Sequence, residues 1–127
     1  MSQKTVLLVE DEDNIALALT HLIGRAGFHL RREATGNGAL AALREERPDL
    51  VVLDVMLPER SGYEICEIIR RDPDLAGIKV LMITAGGGDV ERRKGLAVGA
   101  DAFMTKPFAT ADLTARITEL LEEGGDD

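Results

Sequence analysis

The chain has 127 residues, of which 45% are hydrophobic and 3% aromatic, with no Trp, which describes one domain with an aliphatic core. Its formal net charge of −8 argues against direct contact with nucleic acid or an anionic membrane surface, since both require a positive face. No apolar run approaches the roughly 20 residues that span a bilayer. The segment Met1-Ser2-Gln3-Lys4 leads into a strand-like run without an apolar signal stretch. The single cysteine, Cys66, falls on an apolar helical face, reads as core, and suits a reducing cytoplasm.

In chain order, Val6-Leu7-Leu8-Val9 is a short, solid apolar run of the kind that forms a strand buried on both faces. Ile15, Ala18, Leu19, Leu22 and Ile23 recur at helical spacing, with Gly24 inside the run and Gly27 ending it. A weaker strand is expected near residues 28–33. A short helix carrying Leu40 and Leu43 is expected after Gly36-Asn37-Gly38. Leu50-Val51-Val52-Leu53 is the next buried strand. Ile65, Cys66, Ile68 and Ile69 mark a helix that stops near Asp72-Pro73. Val80-Leu81-Met82-Ile83 follows as a further buried strand. Residues 89–98 read as a helix with a thin apolar stripe, Val90, Leu96 and Ala97, and so as weakly docked. A strand at residues 102–105 and a helix carrying Leu113, Ile117, Leu120 and Leu121 complete the pattern. Alternating strands and helices, five of each, predict an α/β domain with a parallel sheet between helical layers and right-handed crossovers. The domain is assigned to residues 1–123, with residues 124–127 as a polar tail or the start of a linker.

In such sheets ligands bind beyond the carboxyl ends of the strands, where the strand order reverses. The first strand ends in Glu10-Asp11, the third in Asp54, the fourth in Thr84 and the fifth in Lys106. Carboxylates gathered at one edge repel by roughly 4 kcal/mol per pair at ~4 Å and an effective dielectric of ~20. A divalent cation relieves that repulsion, and an all-oxygen donor set suits Mg²⁺, Mn²⁺ or Ca²⁺ rather than Zn²⁺. Mg²⁺ commonly shares its shell with a phosphate oxygen. Lys106 can neutralise another such oxygen, Thr84 can donate to a third, and Asp54 becomes the nucleophile that forms an acyl phosphate.

The segments Val6-Leu7-Leu8-Val9-Glu10-Asp11-Glu12, Leu53-Asp54-Val55-Met56-Leu57-Pro58 with Gly62, Ile83-Thr84-Ala85, and Gly99-Ala100-Asp101 followed by Lys106-Pro107-Phe108 resemble the receiver domain of bacterial two-component response regulators. The resemblance runs from about Lys4 to Leu121. It implies a doubly wound (βα)5 flavodoxin-like three-layer sandwich with sheet order 2-1-3-4-5. It also implies a phosphoacceptor role for Asp54 and metal binding by Asp11, Glu10, Asp54 and the Met56 backbone carbonyl. Phosphate would be held by Thr84, the Ala85 backbone N–H and Lys106, with a cis bond before Pro107. Pro58 and Gly62 would be structural, and Phe103 the aromatic that moves when Thr84 moves. The implied donor is a histidine kinase or histidine phosphotransfer protein. The implied receiver of the signal is a downstream protein or output domain, read through the face of the fourth helix, fifth strand and fifth helix.

Arg92, Arg93, Lys94, Asp101 and Arg116 partly resemble the dimer face of receivers that drive winged-helix transcription factors, although Ala102 replaces the usual second acid. The expected state is a monomer or a phosphorylation-dependent dimer, in the cytoplasm. Gly86-Gly87-Gly88 predicts a mobile loop after Thr84 that orders on phosphorylation. Met56 and Gly86 occupy the positions where fast-dephosphorylating receivers place polar groups, so a long-lived phosphoprotein is expected. A phosphatase of the haloacid-dehalogenase kind would require an acid where Met56 stands, and a flavodoxin phosphate loop is incompatible with Glu10-Asp11-Glu12. No P-loop motif is present. The remaining rival is a receiver-like module that binds a partner regardless of phosphorylation.

Overall fold

A computed structural model describes residues 3–86 and 88–124; Gly87 of the glycine loop and the tail residues 125–127 lie outside the described residues. Five strands alternate with five helices: β1 (Thr5–Val9), α1 (Asp13–Arg25), β2 (His29–Glu33), α2 (Gly36–Glu45), β3 (Leu50–Asp54), α3 (Gly62–Arg71), β4 (Lys79–Thr84), α4 (Asp89–Ala97), β5 (Ala102–Thr105) and α5 (Thr110–Gly124). The strands form one parallel sheet in the order β2-β1-β3-β4-β5.

The solid apolar runs follow from burial on both faces. Side chains alternate across a strand, so Leu7, Val9, Val51, Leu53, Val80 and Met82 pack under α2 and α3. Val6, Leu8, Leu50, Val52, Leu81 and Ile83 pack under α1 and α5. Central β3 is buried throughout, while edge strands β2 and β5 are partly exposed.

Helix ends set where the loops begin. Gly27, at φ +99°, follows the α1 terminus in a conformation that side chains disfavour. Helix α2 begins at Gly36, before the expected start, and takes Gly36-Asn37-Gly38 into its first turn. The reason is the Thr35 side chain, which accepts from the Gly38 N–H at 2.9 Å and caps the helix there. Ser61 and Glu64 form a reciprocal capping box at the start of α3. Gly62 packs so tightly that a Cβ there would collide with the Asp54 carbonyl oxygen. The end of β3 and the start of α3 are thereby locked together.

Candidate functional site

Strand order reverses between β1 and β3, and the acidic residues lie just beyond that point. Glu10 follows β1 and is 1% exposed; Asp54 ends β3 and is 4% exposed. Asp11, one residue further, is exposed. Carboxylate oxygens of these three lie within 4.8 Å of one another. Lys106 reaches in from beyond β5, its Nζ donating to Asp54 Oδ2 at 2.9 Å and to Glu10 Oε1 at 3.0 Å. The Lys106–Pro107 peptide bond is cis.

Each buried carboxylate has a second fixed donor. The Met56 N–H donates to Asp54 Oδ1 at 3.0 Å, and the Glu12 N–H donates to Glu10 Oε2 at 3.1 Å. Burial raises the Glu10 pKa; the Glu12 N–H and Lys106 bonds work against that rise, and the charge of Asp54 adds to it. Burial also acts to lower the Lys106 pKa, but its bonds to Asp54 and Glu10 outweigh this, and the ammonium is held charged.

Thr84 is 1% exposed at the end of β4, and its Oγ1 accepts from the Gly86 N–H at 3.1 Å. Ala85 and Met56 line the same cleft as the acids and Lys106, with Met56 73% exposed. Phe103 packs at the edge of the core against α4, where a Cβ on Gly95 would stand 2.9 Å from its ring. The remaining sequence candidates lie elsewhere. Asp101 Oδ2 accepts from Arg70 Nη2 and from the Val80 N–H, each at 2.8 Å. Arg116 pairs with Glu119 at 3.3 Å, and Lys94 lies 4.5 Å above the Tyr63 ring. Arg92 and Arg93 are exposed on α4.

One residue beside the site escaped the sequence reading. Arg32, on β2, donates to the Glu10 carbonyl through both Nε (3.0 Å) and Nη2 (2.8 Å). The available signal was only an arginine pair, Arg31-Arg32, near the carboxyl end of a weak strand, with nothing local to tie it to the acids that follow β1.

The profile of the response regulator receiver domain family matches residues 6–118. The chain is 39% identical over 116 residues to the phosphate regulon transcriptional regulatory protein PhoB of Rhizobium meliloti, covering 91% of this chain and 51% of that protein. It is 42% identical over 120 residues to the transcriptional regulatory protein AfsQ1 of Streptomyces coelicolor, covering 94% and 52%. The chain therefore spans about half the length of the curated relatives it matches. Among solved structures, the signal receiver domain of a signal transduction histidine kinase from Syntrophus aciditrophicus superposes with a TM-score of 0.91 at 31% identity, covering 98% of this chain and 94% of that one. The BeF3-activated DrrB receiver domain gives 0.86 at 35% identity, covering 95% and 99%.

The chain belongs to the response regulator receiver domain family, whose general function is phosphorylation-dependent signalling in two-component systems. This is a signalling domain rather than a classical enzyme. Among the described residues, no helix is long and apolar enough to cross a membrane.

Proposed function

We propose that Asp54 accepts a phosphoryl group from the phosphohistidine of a sensor kinase or phosphotransfer protein. The observation that carries this reading is the Lys106 ammonium bridging Asp54 and Glu10 inside a cluster of three carboxylates. A carboxylate oxygen of Asp54 attacks phosphorus, the phosphorus–nitrogen bond of the donor breaks, and imidazole leaves. Lys106 stays charged and close enough to meet a phosphoryl oxygen, and the Ala85 N–H and Thr84 hydroxyl serve the others.

The donor set fits a hard divalent cation: Glu10, Asp11 and Asp54 offer only oxygen, from oxygens close enough to share one ion. Asp11, Asp54 and the Met56 carbonyl would hold Mg²⁺, or Mn²⁺ in its place, with Glu10 assisting. When bound, the cation would offset the carboxylate charges and draw negative charge from the transferring group.

Thr84 then exchanges its Gly86 partner for the phosphoryl group, and Phe103 shifts toward the space it leaves. Helix α4 feels that shift because Gly95, its one buried residue, lies against the Phe103 ring. The signal passes through the face of α4, β5 and α5 to a downstream protein or output domain. A dimer on that face would engage Arg92 and Arg93, exposed on α4, together with Lys94, Asp101 and Arg116, whose intrachain contacts are of the exposed kind worth only about 0–1 kcal/mol each.

Intact mass after incubation with acetyl phosphate and Mg²⁺ tests the proposal. One phosphoryl group is expected on the native chain, and none on Asp54→Asn or in EDTA. Followed over time, the adduct is expected to persist, because the apolar side chain of Met56 and Gly86 cannot orient an attacking water; loss within seconds at neutral pH would overturn that part. If neither acetyl phosphate nor beryllofluoride engages the site, phosphorylation-independent binding becomes the better account.

A further inference from the structure

Strand β1 ends at Val9, opposite Glu33 of β2. One residue on, the Glu10 N–H still donates to the Glu33 carbonyl at 3.0 Å, but the Glu10 carbonyl has passed the end of the ladder. A buried carbonyl left without a donor keeps the full cost of its lost hydration. The Arg32 guanidinium supplies the donor twice over, through Nε at 3.0 Å and Nη2 at 2.8 Å. The same Nη2 meets Asp13 Oδ1 at 3.0 Å. One rigid, planar group thus spans both ends of the turn that carries Asp11.

We propose that Arg32 is a positioning residue for the acidic cluster: its fork on the Glu10 carbonyl sets where the Glu10 and Asp11 carboxylates stand. The inference rests on the reading of that cluster as a divalent-cation site. With Arg32 in place, the Glu10 main chain is fixed at both its N–H and its carbonyl. Its side chain is fixed by the Glu12 N–H and Lys106. Asp13, which lines the same cleft, is paired to Arg32 and stands apart from the three-carboxylate group. A lysine would keep the charge but not the fork.

Field and geometry predict opposite signs. Deleting a positive charge beside a cation site should by itself tighten binding; losing the positioning should weaken it. Isothermal titration of Mg²⁺ into the native chain, Arg32→Gln and Arg32→Lys, with melting of each in EDTA, separates the two. Outer-shell partners of metal ligands typically contribute 10–100-fold in affinity, and Arg32→Gln is expected to bind about ten-fold more weakly, with Arg32→Lys weaker than native but less so. Arg32→Gln binding as tightly as native or tighter overturns the proposal, even if it melts lower, because a purely structural role would give that result. If Arg32→Gln does not fold, Arg32→Lys carries the test, and native affinity in that variant overturns the proposal. A native chain that takes up no Mg²⁺ overturns the cation reading and this inference together, whereas equal binding by all three overturns this inference alone.

Discussion

At the scale of single residues, the site is a balance of charge in a place with little water. Glu10 and Asp54 are nearly inaccessible, and one ammonium and two backbone N–H groups hold them. Glu10 titrates above its ordinary value of 4.5 because burial penalises its charged form. A group with a raised folded pKa favours the fold fully below its unfolded pKa and loses that contribution as pH climbs through the folded value. The metal-free protein should therefore lose stability as pH rises from about 4.5 through the Glu10 titration. Glu10→Gln should remove that slope, and urea denaturation in EDTA across a pH series would show it. An unchanged slope in Glu10→Gln would place the effect elsewhere. Cys66 illustrates the bland side of burial: its thiol is 0% exposed and is pushed up to about 11 by desolvation, as expected of a core residue with no role at the site.

At the scale of elements, function depends on which pieces are clamped and which are not. Helix α3 is clamped at its start by the Ser61–Glu64 box and by the contact of Gly62 with the end of β3. Ser61→Ala should cost about 1 kcal/mol, measured by chemical denaturation, and should loosen the loop that follows Asp54. Helix α4 is the opposite case. Its only buried residue is Gly95, and Val90 and Leu96 are 75% and 41% exposed. Its ties to α3 run through Tyr63, whose hydroxyl donates to the Glu91 carbonyl at 3.4 Å and whose ring lies under Lys94. An element held by so little apolar contact can move without the core moving. The thin stripe was legible in the sequence. The start of α2 was not read correctly, because two glycines suggested a loop while the Thr35 cap decided for helix.

At the scale of the whole molecule, the two aliphatic layers make a rigid body whose one edge carries concentrated negative charge. Anything that binds this folded edge and not the unfolded chain must stabilise the fold. Mg²⁺ at a hundred times its dissociation constant should add about 2.7 kcal/mol, a melting shift on the order of 10 °C for a chain of this size. Asp11→Asn should lose most of that shift, and calorimetry with and without Mg²⁺ checks both. No shift in the native chain would contradict the cation site.

The order of strands and helices, the burial of β1, β3 and β4 on both faces, and the convergence of Glu10, Asp11, Asp54, Thr84 and Lys106 at one edge were determined by the sequence alone. Each follows from local pattern: solid apolar runs, helical spacing, and polar residues placed where the runs stop. Tertiary structure alone decided what those residues do to one another. It set Lys106 between two carboxylates separated from it by 96 and 52 positions, committed Asp101 to Arg70, and brought Arg32 onto the Glu10 carbonyl. Such pairings depend on strand register and side-chain reach, and neither leaves a periodic trace in a sequence.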